Sequence, residues 1–420
     1  RRVGPIVSLV RYNDQGASRL IAYQMALSEI FTTYMEPSGE WSSRTALDAG
    51  EFGVGFQMST LMPGADCPEQ ATFISTVVPN DLGKVFPVRR AICIFERPTG
   101  GPLWRRGSPA RPTGLTRPNI ELVVRSIAAL GSLDYVFDCV FTQAGAIRVE
   151  VGTTGTVATK SVAASDLTSP SAARDTAYGG LVAPGTVAVN HSHFFNFRFD
   201  LDVDGQANSA VRDTITPQRL DPTNPRRSLW VVDSRAIERE GPVLPDSRGY
   251  QSRLRVVNPN KTTALGYNPG YQLVTGDQAR SVLAADDDPQ ARAAFSASTA
   301  WLSRFNGSEL YGAGDFPNLS RGGAGLPAYV ADGEALQNND LVLWASIGID
   351  HAPRAEDWPI APVTRAGLTL RPFNFFTRNP ASDLPAGFAK VAPPALRSTI
   401  QDGTAGKSKK SHARPSPPLK

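Results

Sequence analysis

The amino-acid sequence predicts an all-β protein, built as one large antiparallel sandwich. Short apolar runs recur along the 420 residues, and clusters of Gly, Pro, Asn and Asp separate them. The 37 glycines and 34 prolines interrupt nearly every interval, which is typical of many short strands joined by turns. Helical periodicity is confined to two segments, 277–283 and 289–304. These observations favour a large sandwich or a distorted barrel with few short helices.

The elements can be placed in order along the chain. Residues 6–30 alternate as a hairpin does, with Asn13-Asp-Gln-Gly16 as its turn. Further strands are predicted at 71–78, 91–96, 121–127, 135–141, 147–151, 194–203, 254–257 and 341–347. No linker divides the chain before Ala392, so residues 1–391 are expected to form one domain.

The net charge of +4 belongs to the C-terminus of the chain. From residue 400 onward there are five cations and one anion, so the remainder is neutral overall. A Ser-, Pro- and Gly-rich composition without apolar periodicity predicts that residues 392–420 form a disordered basic tail. The charge therefore gives no support for a nucleic-acid partner. No apolar run approaches the ~18 residues that a membrane span needs, so none is expected.

Two of the four histidines, His191 and His193, alternate on a predicted strand. Side chains two residues apart on a strand point to the same face, so both imidazoles can serve one metal ion. His351, which follows the strand at 341–347, is the credible third ligand because His412 lies in the tail. Three imidazoles with an open position suit copper(II) or zinc. The alternative is three hydrogen-bonded core histidines.

Three aspartates follow the histidines at alternate positions, Asp200, Asp202 and Asp204. On one strand their side chains would share a face, where water or a hard cation must neutralise them. This pattern alone is compatible with a calcium site and with a solvated acidic turn.

The three cysteines fit no metal-binding spacing. Cys67 precedes one predicted strand and Cys93 lies in the next, so the two could form a disulfide or remain buried thiols. Cys139 lies in an apolar strand and is expected to be an ordinary core residue.

Several long strings of the sequence resemble the copper amine oxidases that use topaquinone. They read HSHFFNFRFDLDVDG at 191–205, GIDHAPRAEDWP at 348–359, ICIFERPTG at 92–100, DCP at 66–68, NPNK at 258–261 and FPN at 316–318. The strings occur in the family's order and the resemblance covers residues 34–380. The chain therefore resembles the catalytic domain of that family, which is an all-β sandwich.

This resemblance implies an activity and a set of site residues. The activity is the oxidation of a primary amine by O2 and water to an aldehyde, ammonia and hydrogen peroxide. Copper would be held by His191, His193 and His351. Asp48 matches the catalytic base, and Tyr34 matches the tyrosine that hydrogen-bonds the quinone.

The resemblance also implies structural features. Cys67 and Cys93 match a disulfide that many members contain. A peripheral calcium site is implied at Asp200, Leu201, Asp202, Asp340 and Leu341, with both leucines contributing backbone carbonyls. A second, less regular site is implied at Glu240, Tyr329, Asp332 and Glu334.

One departure from the family pattern concerns the cofactor precursor, a tyrosine within Asn-Tyr-Asp/Glu. Here residues 127–138 read IAALGSLDYVFD, so Leu133 stands at the tyrosine position and Ser132 at the asparagine position. Leucine has no ring to oxidise, so topaquinone is expected to be absent. Tyr135 faces the same side, but ~6.7 Å of strand rise is expected to keep it from the copper. The chain is then either an amine oxidase with a quinone from another residue or a copper-binding pseudoenzyme.

The resemblance further implies an interlocked homodimer with hairpin arms. Secretion is expected from the cysteine pairing and from glycosylation sequons at Asn306-Gly-Ser308 and Asn318-Leu-Ser320. The chain begins with Arg1 and is expected to be a segment of a longer protein.

Overall fold

A computed structural model describes residues 1–42, 44–108, 111–243, 249–276 and 279–383 of the protein. Within these residues strands predominate and helices are short, which confirms the all-β class. The expected tail at 392–420 and the expected domain end at residue 391 lie outside the described residues. No helix among them is long and apolar enough to cross a membrane.

Twenty strands can be assigned in the described residues. They are β1 (Ile6–Asp14), β2 (Ala17–Tyr34), β3 (Ala46–Leu47), β4 (Thr72–Pro79), β5 (Val85–Ser108), β6 (Arg111–Leu130), β7 (Leu133–Thr142), β8 (Ile147–Gly155), β9 (Thr159–Ser161), β10 (Gly179–Ala183), β11 (Thr186–Val189), β12 (His191–Leu201), β13 (Ser209–Arg219), β14 (Ser228–Ala236), β15 (Gly241–Pro242), β16 (Ser252–Val257), β17 (Gly270–Val274), β18 (Ala300–Arg304), β19 (Leu341–His351) and β20 (Ala361–Phe373).

Five short α-helices and three 3₁₀ turns complete the described elements. The helices are α1 (Gly39–Ser42), α2 (Asp48–Glu51), α3 (Ala172–Asp175), α4 (Asp288–Arg292) and α5 (Leu326–Tyr329), and the 3₁₀ turns are Ala294–Ala297, Ala355–Asp357 and Pro380–Asp383.

Two large sheets and one small sheet organise these strands. One sheet runs β1-β2-β12-β19-β18-β15, with β3 paired to β2. The other runs β14-β13-β16-β17-β20-β8-β7-β6-β5-β4, and β10-β11-β9 form a separate small sheet. The paired strands are antiparallel throughout both large sheets, as predicted.

Strand β12 explains how the core is arranged. Every residue of β12 is buried, because β2 and β19 flank it and apolar residues cover both faces. Phe195, Phe197 and Phe199 point to one face and pack in the main core with Val149 of β8. Phe194 points to the opposite face and packs in a second cluster with Trp344 of β19. A period of two residues therefore assigns each side chain of β12 to one of two apolar layers.

The predicted hairpin at the start of the chain is confirmed. Strands β1 and β2 pair from Ile6 opposite Ala26 to Asp14 opposite Ala17, which leaves a two-residue loop. Gln15 and Gly16 of this loop both have positive φ, 54° and 92°. Positive φ at both loop positions is what the right-handed twist of a two-residue hairpin requires.

The helical prediction for residues 289–304 is only partly correct. Helix α4 and the turn Ala294–Ala297 cover its first half, but β18 forms the second half. Ala300–Arg304 pairs with β19, where Trp301 lies opposite Trp344. Pairing with a buried central strand overrides the local periodicity here. Residues 279–283 also lack the predicted helix.

Candidate functional site

Strand register places three histidines side by side. His191 and His193 lie two residues apart on β12 and share the face that looks toward Tyr135 of β7. His351 is the last residue of β19 and is the register partner of His191. On the other side of β12, β2 places Tyr34 opposite His191. The ring centroid of His191 lies 5.0 Å from that of His193 and 4.7 Å from that of His351, so the three imidazoles adjoin one another on two neighbouring strands.

Two imidazole nitrogens of the cluster face each other. His191 Nε2 and His351 Nδ1 are 3.2 Å apart. The other nitrogen of each ring is bonded elsewhere, His191 Nδ1 to the Val189 carbonyl at 2.8 Å and His351 Nε2 to the Asp357 carboxylate at 3.0 Å. When both rings are neutral and bonded in this way, each facing nitrogen carries a lone pair that a cation between them can accept. Two nitrogens each ~2.0 Å from one metal are separated by about 3 Å, so the spacing of His191 and His351 fits two ligands of one copper ion.

The third histidine is also held in its metal-binding form. His193 Nδ1 lies 3.1 Å from the Tyr135 hydroxyl and 3.3 Å from the Thr32 hydroxyl, so Nε2 is the nitrogen left for a metal. Burial lowers the pKa of His191 to about 4 and takes the pKa of His193 well below its ordinary value. Both rings are therefore neutral near pH 7, as a metal ligand must be.

Tyr135 lies within the site, although the strand rise was expected only to keep it from the copper. Its ring is fully buried and stands edge-on to His193 with centroids 5.6 Å apart. The hydroxyl also lies 3.4 Å from Asp48 Oδ2. The length of a tyrosine side chain is comparable to two residues of strand rise (~6.7 Å), so the ring can lean back across that distance. The hydroxyl nevertheless approaches Nδ1 of His193, which is not the nitrogen left for copper.

Asp48 lies beside the histidine cluster as a buried carboxyl group. It begins α2 directly after β3, which pairs Ala46 with Thr32 of β2. Thr32 Oγ1 donates to Asp48 Oδ2 at 3.0 Å. Burial raises the pKa of Asp48 to about 7, the Thr32 bond opposes that shift, and the negative charge of Glu29 adds to it. A carboxyl group with a pKa near 7 suits a general base.

Tyr34 lies on the same wall, with its ring centroid 5.3 Å from that of His191 and 5.5 Å from that of Trp41. Burial and the nearby Asp48 charge raise the pKa of Tyr34, so its hydroxyl is protonated and can donate a hydrogen bond. Tyr34 and Asp48 both line a cavity of about 490 Å³, a size that suits a small organic ligand.

The cavity wall includes the position expected to carry the cofactor precursor. Its lining residues are Thr32, Tyr34, Arg44, Ala46, Asp48, Phe52, Gln57, Leu130, Gly131, Ser132, Leu133, Tyr135 and Ala158. Leu133 is 8% exposed and presents an aliphatic side chain at the start of β7. Topaquinone is an oxidised tyrosine ring, and Leu133 has none. The residue at this position therefore does not fit topaquinone, although the neighbouring histidines fit copper.

A buried acidic cluster lies where β12 and β19 pair at their other ends. Carboxylate oxygens of Asp200, Asp202 and Asp340 lie within 4.8 Å of one another. Asp202 Oδ1 and Asp340 Oδ1 are buried without a hydrogen-bond partner. Burial and the charge of Asp340 together raise the pKa of Asp200 to about 7, against the opposing effect of Arg198, and that of Asp202 to about 6. Unpartnered carboxylate oxygens at this spacing fit a calcium ion.

The backbone near this cluster includes both leucines of the expected calcium site. Leu201 and Leu341, expected to contribute carbonyls, are paired directly across the two strands. Asp204 does not join the cluster, although alternation along a strand predicted a shared face. It follows the end of β12, has φ of 54°, and forms an ion pair with Arg19. The change of backbone conformation after Leu201 ends the alternation.

A second acidic cluster is more exposed. Glu240, Asp332 and Glu334 carry carboxylate oxygens within 4.8 Å of one another. Glu240 accepts hydrogen bonds from the backbone N–H groups of Arg304 and Glu334, and burial raises its pKa to about 7. Tyr329, expected beside them, ends α5 and packs its ring on Trp344 with centroids 6.0 Å apart.

The disulfide between Cys67 and Cys93 is present, and both cysteines are buried. Cys93 lies in β5, and Cys67 lies in the turn before β4. Cys139 carries a free thiol, as expected, and burial raises its pKa to about 12. The thiol is therefore protonated at neutral pH and is a poor nucleophile.

Three residues of the site escaped prediction from sequence. Thr32 contacts both Asp48 and His193, and its position two residues before Tyr34 on β2 could have indicated that it shares the same face. Asp357 orients His351. Glu29 accepts hydrogen bonds from the N–H groups of Ala49 and Gly50 at the start of α2, and no local pattern marks that role.

Comparison with known proteins shows the family of the chain. The family described as copper amine oxidase, enzyme domain, matches residues 1–390. The peroxisomal copper-containing amine oxidase alpha 2 of Arabidopsis thaliana is 35% identical over 387 residues, which are 90% of this chain and 57% of that protein. A primary amine oxidase of Klebsiella aerogenes is 35% identical over 385 residues, 90% of this chain and 51% of that protein.

A solved structure shares the fold. The crystal structure of a copper-containing benzylamine oxidase from Hansenula polymorpha superposes with a TM-score of 0.84 and 28% identity, covering 91% of this chain and 59% of that one. The chain thus spans between half and three fifths of the length of these relatives. On these grounds, the chain belongs to the copper amine oxidase family and corresponds to its enzyme domain.

Proposed function

We propose that the domain binds copper at His191, His193 and His351 and oxidises a primary amine with O2. The overall reaction converts amine, O2 and water to an aldehyde, ammonia and hydrogen peroxide. The observation that carries this proposal is a buried carboxyl group of raised pKa, Asp48, beside a histidine cluster that fits copper. Copper bound there supplies one-electron chemistry toward O2.

The residues of the chain have separate tasks in this proposal. Asp48, whose pKa is about 7, is partly ionised at neutral pH and can accept a proton from the substrate. The Tyr34 hydroxyl can donate a hydrogen bond to a ligand in the cavity, and Leu130 forms part of its apolar wall. The cavity volume of about 490 Å³ accommodates a small or medium-sized amine.

Leu133 favours a second candidate function, a copper-binding domain that does not oxidise amines. A leucine there leaves the fold and the histidines in place, because it introduces no unpaired polar group. It removes the ring from which the family's quinone is made. Oxidation of an amine then needs an electron acceptor from elsewhere in the protein.

One experiment separates the two candidates. The copper-reconstituted chain is examined for visible quinone absorption, phenylhydrazine titration and amine-dependent hydrogen peroxide. A coloured, phenylhydrazine-reactive protein that produces peroxide supports the oxidase, and Asp48→Asn should then lose most of that activity. A colourless protein that binds copper supports the second candidate. Failure to bind copper contradicts both.

The second candidate makes a further prediction about residues 132 and 133. The double variant Leu133→Tyr, Ser132→Asn restores the family motif beside the same histidines, so it should gain the visible chromophore when incubated with copper and O2. The control is Leu130→Tyr, which adds a tyrosine to the same cavity at a different position. Equal colour in both variants would contradict the assignment of residue 133 as the precursor position.

Calcium, dimerisation and secretion are proposed on separate grounds. The unpartnered oxygens of Asp202 and Asp340 support calcium at the buried acidic cluster. Membership of the family supports a homodimer. The disulfide supports an oxidising compartment, and the exposed Asn306 and Asn318 sequons are accessible to glycosylation.

A further inference from the structure

The hydroxyl of Tyr135 lies between His193 and Asp48, as the Thr32 hydroxyl also does. It lies 3.1 Å from His193 Nδ1 and 3.4 Å from Asp48 Oδ2. A phenol oxygen can accept one hydrogen bond and donate another at the same time. With Nδ1–H of His193 as the donor and the carboxylate of Asp48 as the acceptor, both contacts are satisfied.

The direction of these bonds decides which nitrogen of His193 is free. If Nδ1 carries the proton, Nε2 carries the lone pair that a metal needs. In metal sites the group that receives the other N–H of a histidine fixes its tautomer and ring orientation. His191 has the Val189 carbonyl for this task and His351 has Asp357. For His193 the corresponding partners are Tyr135 and, at 3.3 Å, Thr32.

We propose that Tyr135 is a positioning residue, which fixes the tautomer of His193 for copper and couples that ligand to the base Asp48. This role needs no ring at residue 133, and it does not make Tyr135 a quinone or a copper ligand. The role of Tyr135 rests on the proposed function, because His193 needs a tautomer suited to metal binding only if the site holds copper.

Packing around Tyr135 supports a fixed position. The ring is fully buried and stands edge-on to Phe195 with centroids 5.1 Å apart, and it lies 6.4 Å from Phe137. These contacts belong to the phenyl ring and would remain in Tyr135→Phe. That substitution therefore removes the hydroxyl with little loss of apolar packing.

The first measurement uses the tautomer itself and needs no metal. The chain has four histidines, so ¹⁵N-histidine labelling gives few signals. In the chelator-treated wild type, His193 should show the Nδ1–H tautomer, and its signal is assigned by comparison with His193→Gln. In Tyr135→Phe this signal should move part of the way toward the other tautomer, because Thr32 can still accept from Nδ1–H, and it should move further in the double variant Tyr135→Phe, Thr32→Val. An unchanged signal would overturn the proposal.

The second measurement is copper binding. Loss of the group that accepts the second N–H of a histidine ligand typically lowers metal affinity by about 10–100-fold. We expect about tenfold weaker copper affinity in Tyr135→Phe, because Thr32 can still accept the proton, and about 100-fold in the double variant Tyr135→Phe, Thr32→Val. The copper EPR hyperfine pattern should change in both.

The matched control is Tyr271→Phe. Tyr271 is equally buried, and its hydroxyl donates to the Gly145 carbonyl at 2.9 Å, without contact to the histidine cluster. It should keep wild-type copper affinity and EPR spectrum. Equal weakening in Tyr271→Phe, or affinity within twofold of wild type in Tyr135→Phe, would overturn the proposal. If wild type binds no copper, the proposed copper site is wrong, and so is the proposed role of Tyr135 between His193 and Asp48.

Discussion

Asp48 shows how burial sets the chemistry of one residue. The side chain receives hydrogen bonds from Thr32 and Tyr135, and both stabilise its charged form. Burial and the charges of Glu29 and Glu51 oppose that effect and raise the pKa of Asp48 from 3.8 to about 7. Desolvation is the largest of these influences, so a group that is ionised in the unfolded chain is largely protonated in the folded protein at mildly acidic pH.

This pKa difference has a measurable effect on stability. Between pH 3.8 and about 7 the folded chain binds one more proton at Asp48 than the unfolded chain does, so the free energy of unfolding falls as pH rises. The loss amounts to about 1.4 kcal/mol per pH unit in the middle of this range. Asp48→Asn cannot ionise and should become more stable than wild type as pH increases toward 7.

The measurement is urea unfolding of chelator-treated wild type and Asp48→Asn from pH 5 to pH 8. The difference in unfolding free energy between the two should grow between pH 5 and 7 and then level off. A difference that stays constant with pH would show that Asp48 titrates alike in the folded and unfolded states.

Tyr135 shows the limit of reasoning about single residues from strand spacing. Alternation correctly predicted that residues 133 and 135 face the same side, and both line the cavity. The strand rise, however, describes the separation of backbone atoms. A long side chain that leans along its strand can cancel that separation, and its direction depends on neighbours such as Phe195, which come from another part of the chain.

At the scale of elements, the pairing of β12 with β19 builds two sites with one register. The paired region of β12 and β19 begins with His191 opposite His351 and ends with Leu201 opposite Leu341. A one-residue slip would turn the histidines to the opposite face of the sheet. Any cation held at the acidic end therefore also fixes the register at the histidine end.

Calcium is expected to stabilise this strand pair. In the calcium-free protein the carboxylates of buried Asp200 and Asp202 and half-buried Asp340 lie within 4.8 Å of one another, with Arg198 paired only to Asp200. Calcium in 100-fold excess over its dissociation constant adds about 2.7 kcal/mol to the free energy of unfolding. The melting temperature of chelator-treated protein should therefore rise by several degrees when calcium is added.

Two variants identify the cluster responsible. Asp202→Asn should remove most of the calcium response and raise the stability of the calcium-free protein, because it removes one of the repelling charges. Asp332→Asn, in the exposed cluster, should keep a substantial calcium response. Thermal unfolding with and without calcium would contradict the assignment if only Asp332→Asn abolished the response.

At the scale of the whole molecule, the sequence predicts the architecture better than the contacts. The strands at 121–127, 135–141 and 341–347 all occur, because alternation and turn residues are local signals. Residues 300–304 form a strand instead of a helix because β19 supplies hydrogen-bond partners that lie 37 to 45 residues further along the chain. Arg2 reaches Glu29, which supports the start of α2, and local patterns carry no information on such contacts.

The ribbon formed by β13 and β14 bears on the assembly of the molecule. Strand β16 pairs with β13 only as far as Thr214, whereas β13 and β14 remain paired from Ile215 opposite Val232 to Arg219 opposite Ser228. Beyond Thr214 no third strand among the described residues joins them. An isolated two-stranded ribbon is only marginally stable in water. A two-stranded ribbon of this kind is expected to pack against a surface of another molecule.

The exposed side chains of the ribbon point to the same conclusion. Trp230, Val231 and Val232 are 64%, 41% and 52% exposed. Successive residues of a strand face opposite sides, so the ribbon presents apolar groups on both faces and neither face is covered. An arm of this kind can insert between surfaces of a second copy, as the homodimers of this family imply.

Dimerisation is therefore expected to depend on this ribbon. Sedimentation equilibrium of the chain should give twice its mass of 45.0 kDa. The double variant Trp230→Glu, Val232→Glu places charges at an apolar contact and should shift the equilibrium toward monomer by tenfold or more, corresponding to about 1.4 kcal/mol or more. Leu265→Glu changes a 73% exposed residue outside the ribbon and should leave the dimer intact. A ribbon variant that sediments as wild type would show that the apolar ribbon residues do not hold the two copies together.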